Sequence, residues 1–195
     1  LFPDLGSLSM PEITAPMLLN TLRKVEKRGA IDFDTVETQM QFNDQGKIEA
    51  IVPVIRNDAH RLIEECMLLA NVAAAEYALQ HDVPMLYRIH EPPEFSRIQK
   101  VRDFVKLLGL PFPEQPTQKD YQAVIDATKD RIDAPSIHAV LLRSMMQAYY
   151  GANNAGHFGL AYEAYTHFTS PIRRYPDLLL HRAIKAKLKH KPAPL

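Results

Sequence analysis

The stretch from Asn57 to Gln80 constrains this chain more than any other. It contains neither proline nor glycine, and it opens on Asn57 and Asp58, residue types whose side chains cap helix N-termini. An alanine-rich segment over 70–78 favours helix. Ile63, Met67, Ala70 and Ala74 recur at helical spacing, which predicts one apolar face. Pro84 marks the stop.

Weaker signals arrange the rest around this helix. Pro3, Gly6, Pro11 and Pro16 make residues 1–16 an irregular arm. Leu18, Leu19, Leu22 and Val25 predict a helix over 17–28, closed by Gly29. Ile31, Phe33, Met40 and Phe42 alternate loosely with polar residues. The Asn43-Asp44-Gln45-Gly46 turn and the apolar run from Ile48 to Ile55 complete a predicted hairpin over 30–55. A short strand is expected at 85–90 and a helix at 94–109. A proline-rich loop follows, then helices at 117–129 and 135–149. A Gly- and Asn-rich loop over 151–156 leads into an aromatic segment, 158–168, read as extended. Ser170-Pro171 and Tyr175-Pro176-Asp177 are two start signals for a final helix running to about residue 189. The predicted class is α+β, helix-dominated, with a β-hairpin and short strands.

Charge does not announce a partner. The 195 residues hold 23 basic and 23 acidic side chains, so any basic site must be local. Cys66 is the single cysteine, which excludes an intrachain disulfide and fits a reducing cytosol. Its neighbours Met67, Leu68 and Leu69 predict a buried apolar role. No apolar run reaches membrane-spanning length, and the N-terminus has no signal-peptide pattern. The chain begins at Leu1 rather than Met, as expected for a piece of a longer protein.

Three places could carry chemistry. In the first, Gly156 to Asp177, Arg173 and Arg174 sit at the mouth of the final helix. Free N–H groups there and planar guanidinium forks suit an anion. Thr169 and Ser170 add hydroxyls that either cap the helix or touch that anion. Tyr162, Tyr165, Phe168 and Tyr175 offer flat faces to bases. The competing reading pairs both arginines with Asp177 and puts the aromatics in the core. The second place is Glu64, which shares a helix face with His60, Leu68, Asn71 and Ala75. It either meets a metal, a ribose hydroxyl or an arginine, or merely favours the helix start together with Glu65. The third is Asp32-Phe33-Asp34, whose carboxylates would share one strand face. They either hold Mg²⁺ or face solvent, with Phe33 in the core. Paired-histidine zinc spacing, a Walker-type loop and a Gly-x-Ser-x-Gly elbow are all absent.

Together these segments resemble the ribonuclease R/ribonuclease II (RNB-type) exoribonuclease family. Arg56-Asn57-Asp58-Ala59-His60-Arg61-Leu62-Ile63-Glu64-Glu65-Cys66-Met67 is similar to its long-helix motif, and nearer the ribonuclease R branch. His157-Phe158-Gly159-Leu160 and Thr169-Ser170-Pro171-Ile172-Arg173-Arg174-Tyr175-Pro176-Asp177-Leu178 resemble its second signature. Tyr87-Arg88-Ile89-His90-Glu91 and Leu141-Leu142-Arg143-Ser144-Met145 fit in the same order. The likeness runs from about 17 to 188.

The resemblance implies a cytoplasmic enzyme that hydrolyses RNA processively from the 3′ end and releases nucleoside 5′-monophosphates. It implies Mg²⁺ in the parent enzyme and a single-stranded RNA 3′ end as partner, with ribosomes or RNA-decay factors met through the parent and no membrane. Residues 17–189 would be a partial catalytic domain, flanked by the arm 1–16 and a tail 190–195. Arg173 matches an arginine that grips the phosphate near the scissile bond. Glu64 matches a glutamate that contacts the 3′-terminal nucleotide, and Phe33 an aromatic that clamps the last bases. His157, Thr169, Ser170, Arg174 and Tyr175 become neighbours of the RNA. The family's metal-binding aspartate cluster has no match here, so no metal ligand is assigned and the isolated piece is expected to be inactive. The alternative is a non-catalytic single-stranded RNA-binding or structural module.

Overall fold

The computed structural model describes residues 29–33, 37–54 and 57–192. The predicted arm 1–16, the helix 17–28, Asp34, Arg56 and the last three residues lie outside the described residues.

Helix α1 spans Asp58–Gln80. Its start is set locally. The Asn57 side chain accepts from the His60 N–H at 3.0 Å, and the Asn57 N–H donates to His60 Nδ1 at 3.3 Å. Its buried residues are Asn71, Val72, Ala74, Ala75 and Ala78. Only the second half of the predicted apolar face is therefore covered. Ile63 and Met67 remain exposed, and Cys66 is exposed as well, against expectation. Cys66 lies five residues before Asn71, which turns it well away from the buried stripe. The small alanines let α5 (Tyr175–Leu188) approach through Leu180 and Ala183, with Val83 closing that cluster.

A second core joins α2 (Phe95–Leu107), α3 (Gln118–Thr128) and α4 (Ala134–Ser144). Val101, Val105, Tyr121, Val124, Ile125, Ile137 and Leu141 fill it, and Ile31, Phe33 and Phe158 pack on its edge. The sequence predicts that α4 continues to 149. It stops at Ser144, where the backbone turns extended at Met145. Arg97 Nη1 donates to the Met145 carbonyl at 3.1 Å and His90 Nε2 to the Met146 carbonyl at 2.8 Å. These bonds, made by side chains about fifty residues away in sequence, hold carbonyls that a longer helix would have used itself.

The predicted hairpin is narrower than 30–55. β1 (Glu37–Phe42) pairs antiparallel with β2 (Ile48–Val54). Asn43 Oδ1 accepts from the N–H groups of Gln45 and Lys47, both at 3.0 Å, and Gly46 takes the left-handed conformation at φ 73°. β3 (Tyr87–Ile89) pairs antiparallel with β4 (Tyr149–Gly151). A single bridge from Tyr87 to Thr166 adds a third line of chain beside β3. Among the described residues no helix is long and apolar enough to cross a membrane.

Leu141 is fully buried in the three-helix core. Leu141→Ala is expected to cost about 2–5 kcal/mol of stability. Urea unfolding of the two proteins measures it, and an unchanged midpoint would refute this account of the core.

Candidate nucleic-acid interface

The segment predicted to be extended, 158–168, is a knot of short-range turns tied to β3 and α1. His90 ties the first end. Its Nδ1 accepts from the Gly159 N–H at 2.8 Å while Nε2 donates to Met146, which fixes a neutral tautomer. Its backbone N–H donates to the Gly156 carbonyl at 3.1 Å, and its carbonyl accepts from Phe158 at 2.7 Å. A Cβ on Gly159 would stand 3.0 Å from His90 Nδ1, so the glycine is what lets the loop reach the imidazole.

His157 sits beside this tie, with ring centroids 5.0 Å from His90 and 5.2 Å from Tyr165. Its Nδ1 accepts from the Leu160 N–H at 3.2 Å. Burial, then the neighbouring His90, push its pKa from 6.5 to about 3. The ring is uncharged near neutral pH and braces the loop.

Asn71 ties the second end. It is buried on α1, and its Nδ2 donates to the Tyr165 hydroxyl at 2.9 Å. Its Oδ1 accepts from the N–H groups of Phe168 and Thr169, at 2.9 and 3.2 Å. From the other side, His181 on α5 donates through Nε2 to the Phe168 carbonyl at 2.9 Å and stacks on the Phe168 ring at 4.0 Å. Helical spacing puts Asn71 on the Glu64 face without marking it as functional. A lone amide among alanines was the signal.

The turn so anchored presents the two arginines differently. Residues 171–173 form a turn in which the Ser170 carbonyl accepts from the Arg173 and Arg174 N–H groups. The second of the two start signals is the real one: α5 begins at Tyr175, with Pro176 in its first turn. Asp177 is fully buried. Its Oδ1 accepts from the Ser170 N–H at 2.8 Å and from Arg174 Nε and Nη2 at 3.1 and 2.9 Å. The pairing reading thus holds for Arg174 and not for Arg173. Among the described residues the Arg173 guanidinium has no hydrogen-bond or ion-pair partner, and it is exposed. Tyr175 is exposed beside it. Thr169 and Ser170 are half-buried, and neither hydroxyl caps α5, whose N-cap residue is Arg174.

Glu64 stands two turns before Asn71 on the same face of α1, half-buried and about 10 Å along the axis. α1 therefore carries Glu64 along the face that Asn71 joins to the 168–169 backbone. Phe33 is half-buried against the three-helix core, as its packing reading foresaw. Asp32 lies 3.9 Å from Arg61. Among the described residues no group of three or more His, Cys, Asp or Glu side chains is arranged to hold a metal ion.

A buried lattice of amide and imidazole side chains thus stands behind the turn that presents Arg173. Residues 14–190 match the RNB domain, and the chain belongs to the RNB-domain family. It is 56% identical over 162 residues to ribonuclease R of Vibrio cholerae, covering 82% of this chain and 20% of that protein. It is 46% identical over 192 residues to ribonuclease R of Escherichia coli K12, covering 92% of this chain and 24% of that protein. The solved RNase R of Mycoplasma genitalium in complex with ribose-methylated single-stranded RNA superposes with TM-score 0.78 at 28% identity, over 87% of this chain and 27% of that one. The chain thus spans about a fifth to a quarter of the curated relatives named here.

Two outcomes follow from this geometry. Asp177→Ala leaves the half-buried Arg174 without its acid, and is expected to cost about 3–5 kcal/mol in denaturant unfolding. A cost near zero would show that the pair does not hold the turn. The depressed pKa of His157 also makes stability depend on pH. The unfolded chain binds a proton there that the folded chain refuses, so this stabilisation is present above pH 6.5 and is lost as pH falls toward about 3. Urea midpoints should drop steadily over that window in the wild type and less in His157→Gln. Equal slopes in the two proteins would contradict the assignment.

Proposed function

We propose that this chain is the RNA-gripping part of an RNB-type catalytic domain, whose parent protein degrades RNA processively from the 3′ end and releases nucleoside 5′-monophosphates. The observation that carries the reading is the division between the two arginines. Arg174 is locked to Asp177, and Arg173 is presented free. A planar guanidinium can take two phosphate oxygens at once, and charge that builds on them during hydrolysis strengthens the contact. Ser170 and Thr169 add hydroxyls to the same backbone. The exposed Tyr175 and the uncovered part of Phe33 offer faces on which bases stack, at about 1–3 kcal/mol per base. Glu64 takes the hydroxyls of the terminal ribose.

In this reading a Mg²⁺ ion, held by residues of the parent outside those described, would supply the activation of water for hydrolysis. The residues described here bind and orient. The parent acts in the cytoplasm on single-stranded 3′ ends, and meets ribosomes and RNA-decay factors there. A second reading is a non-catalytic single-stranded RNA-binding or structural module.

Arg173→Lys keeps the charge and loses the fork. In the parent protein it is expected to slow RNA degradation by about 10²–10³-fold with an unchanged melting temperature. Degradation at the wild-type rate would remove Arg173 from the site. The isolated 195 residues, incubated with single-stranded RNA and Mg²⁺, are expected to release no monophosphates. Release would show that this stretch carries its own catalytic acids. A parent that binds RNA but never cleaves it would establish the second reading.

A further inference from the structure

The central strand β3 carries an arginine that the reading above does not use. Side chains alternate along a strand, so Arg88 points away from the face of Tyr87 and Ile89. Across the sheet it stands opposite Tyr150 of β4. On its other side its N–H donates to the Tyr165 carbonyl at 2.8 Å, and the bridge from Tyr87 to Thr166 sets the register there. Tyr165 and His167, two residues apart, therefore flank Arg88 on the same face.

Of these neighbours Tyr150 touches the guanidinium, and it is tied in turn to His167. The guanidinium carbon lies 4.9 Å from the centre of the Tyr150 ring. The Tyr150 hydroxyl shares a 2.7 Å hydrogen bond with His167 Nδ1, and the Tyr165 and His167 rings meet edge to face at 5.8 Å. Arg88 is half-buried. A cation that has lost part of its water is stabilised by an anion. Among the described residues its side chain has no hydrogen-bond or ion-pair partner. Asp177, the carboxylate that acts on His167, gives its Oδ1 to Arg174 and to the Ser170 amide, and neither of its oxygens bonds Arg88.

The electrostatics agree with an empty place for negative charge. Burial, then Arg174, bring His167 down to about 4, and Arg88 and Arg173 push the same way. Three guanidiniums thus act on one imidazole, opposed by one carboxylate. The contact with Tyr150 also restrains the Arg88 side chain in advance, which lowers the ordering cost of a phosphate contact.

We propose that Arg88, held over the Tyr150 ring and flanked by His167, is a second phosphate-binding residue, which takes a backbone phosphodiester of single-stranded RNA near the one gripped by Arg173. The proposal rests on the RNA-gripping reading above. The competing occupant is a carboxylate supplied from elsewhere in a longer parent.

The test titrates the 195-residue chain with a short labelled oligouridylate at several KCl concentrations. Arg88→Met removes the charge and keeps the stem. It is expected to weaken binding about tenfold and to make the slope of log K against log salt shallower by about 0.7. Wild-type affinity and slope in Arg88→Met, with binding lost in Arg173→Met, would overturn the proposal and leave the RNA-gripping reading standing. No binding by the wild type at any salt would overturn both. A measurement on the wild-type chain covers the case in which Arg88→Met does not fold. The Arg88 Nε–H resonance, assigned by its absence in Arg88→Lys, should move on adding the oligonucleotide and stay still in acetate at equal ionic strength. A resonance that ignores RNA, or moves as far in acetate, would overturn the proposal.

Discussion

The Asn71 side chain is the junction on which the site depends. One amide, buried in an alanine-rich stretch of α1, bonds the Tyr165 hydroxyl and two backbone N–H groups at Phe168 and Thr169. A buried amide is costly unless its bonds are made, and here they are made to a segment that has almost no regular structure of its own. The helix is rigid because its hydrogen bonds are internal. The loop borrows that rigidity through Asn71, and α5 adds the His181 contact from the far side. The turn at 170–173 is therefore held at fixed points before any ligand arrives.

Neutral imidazoles perform the rest of the bracing. His90 and His157 act as hydrogen-bonding spacers, and burial keeps both below the ordinary histidine range. Charging them would place cations in the interior beside Arg88. The positive charge that faces outward is left to arginine, which cannot lose its proton. Asp177 then decides which arginine is structural. Its buried Oδ1 takes the side chain one turn back and the Ser170 amide together, and this fixes the backbone that carries Arg173 outward.

Features made by near neighbours were legible in the sequence. The Asn57 cap joins residues three apart, and the Asn43 turn joins residues two and four apart. Each needs only local backbone geometry, so residue type and order are sufficient. The end of α4 was not legible. Its helical pattern runs on past Ser144, and only the bonds from Arg97 and His90 redirect the chain. The aromatic run 158–168 looked like a strand because aromatics favour strands. Its Gly159 is instead placed to receive an imidazole from 69 residues upstream.

The sequence by itself determined the long capped helix, the hairpin turn and the signature around Arg173 and Arg174. It also placed Glu64 on the face of α1 that bears Asn71. It left those adjacent arginines equivalent, because a fork of the same chemistry sits at both positions. Only the tertiary structure separated them, by burying Asp177 where Arg174 alone reaches it. The surroundings of Arg88 and the Asn71 junction belong to the same category. Their bonds join residues up to 98 apart, and no local periodicity encodes which distant side chain will fill a given place in a packed interior.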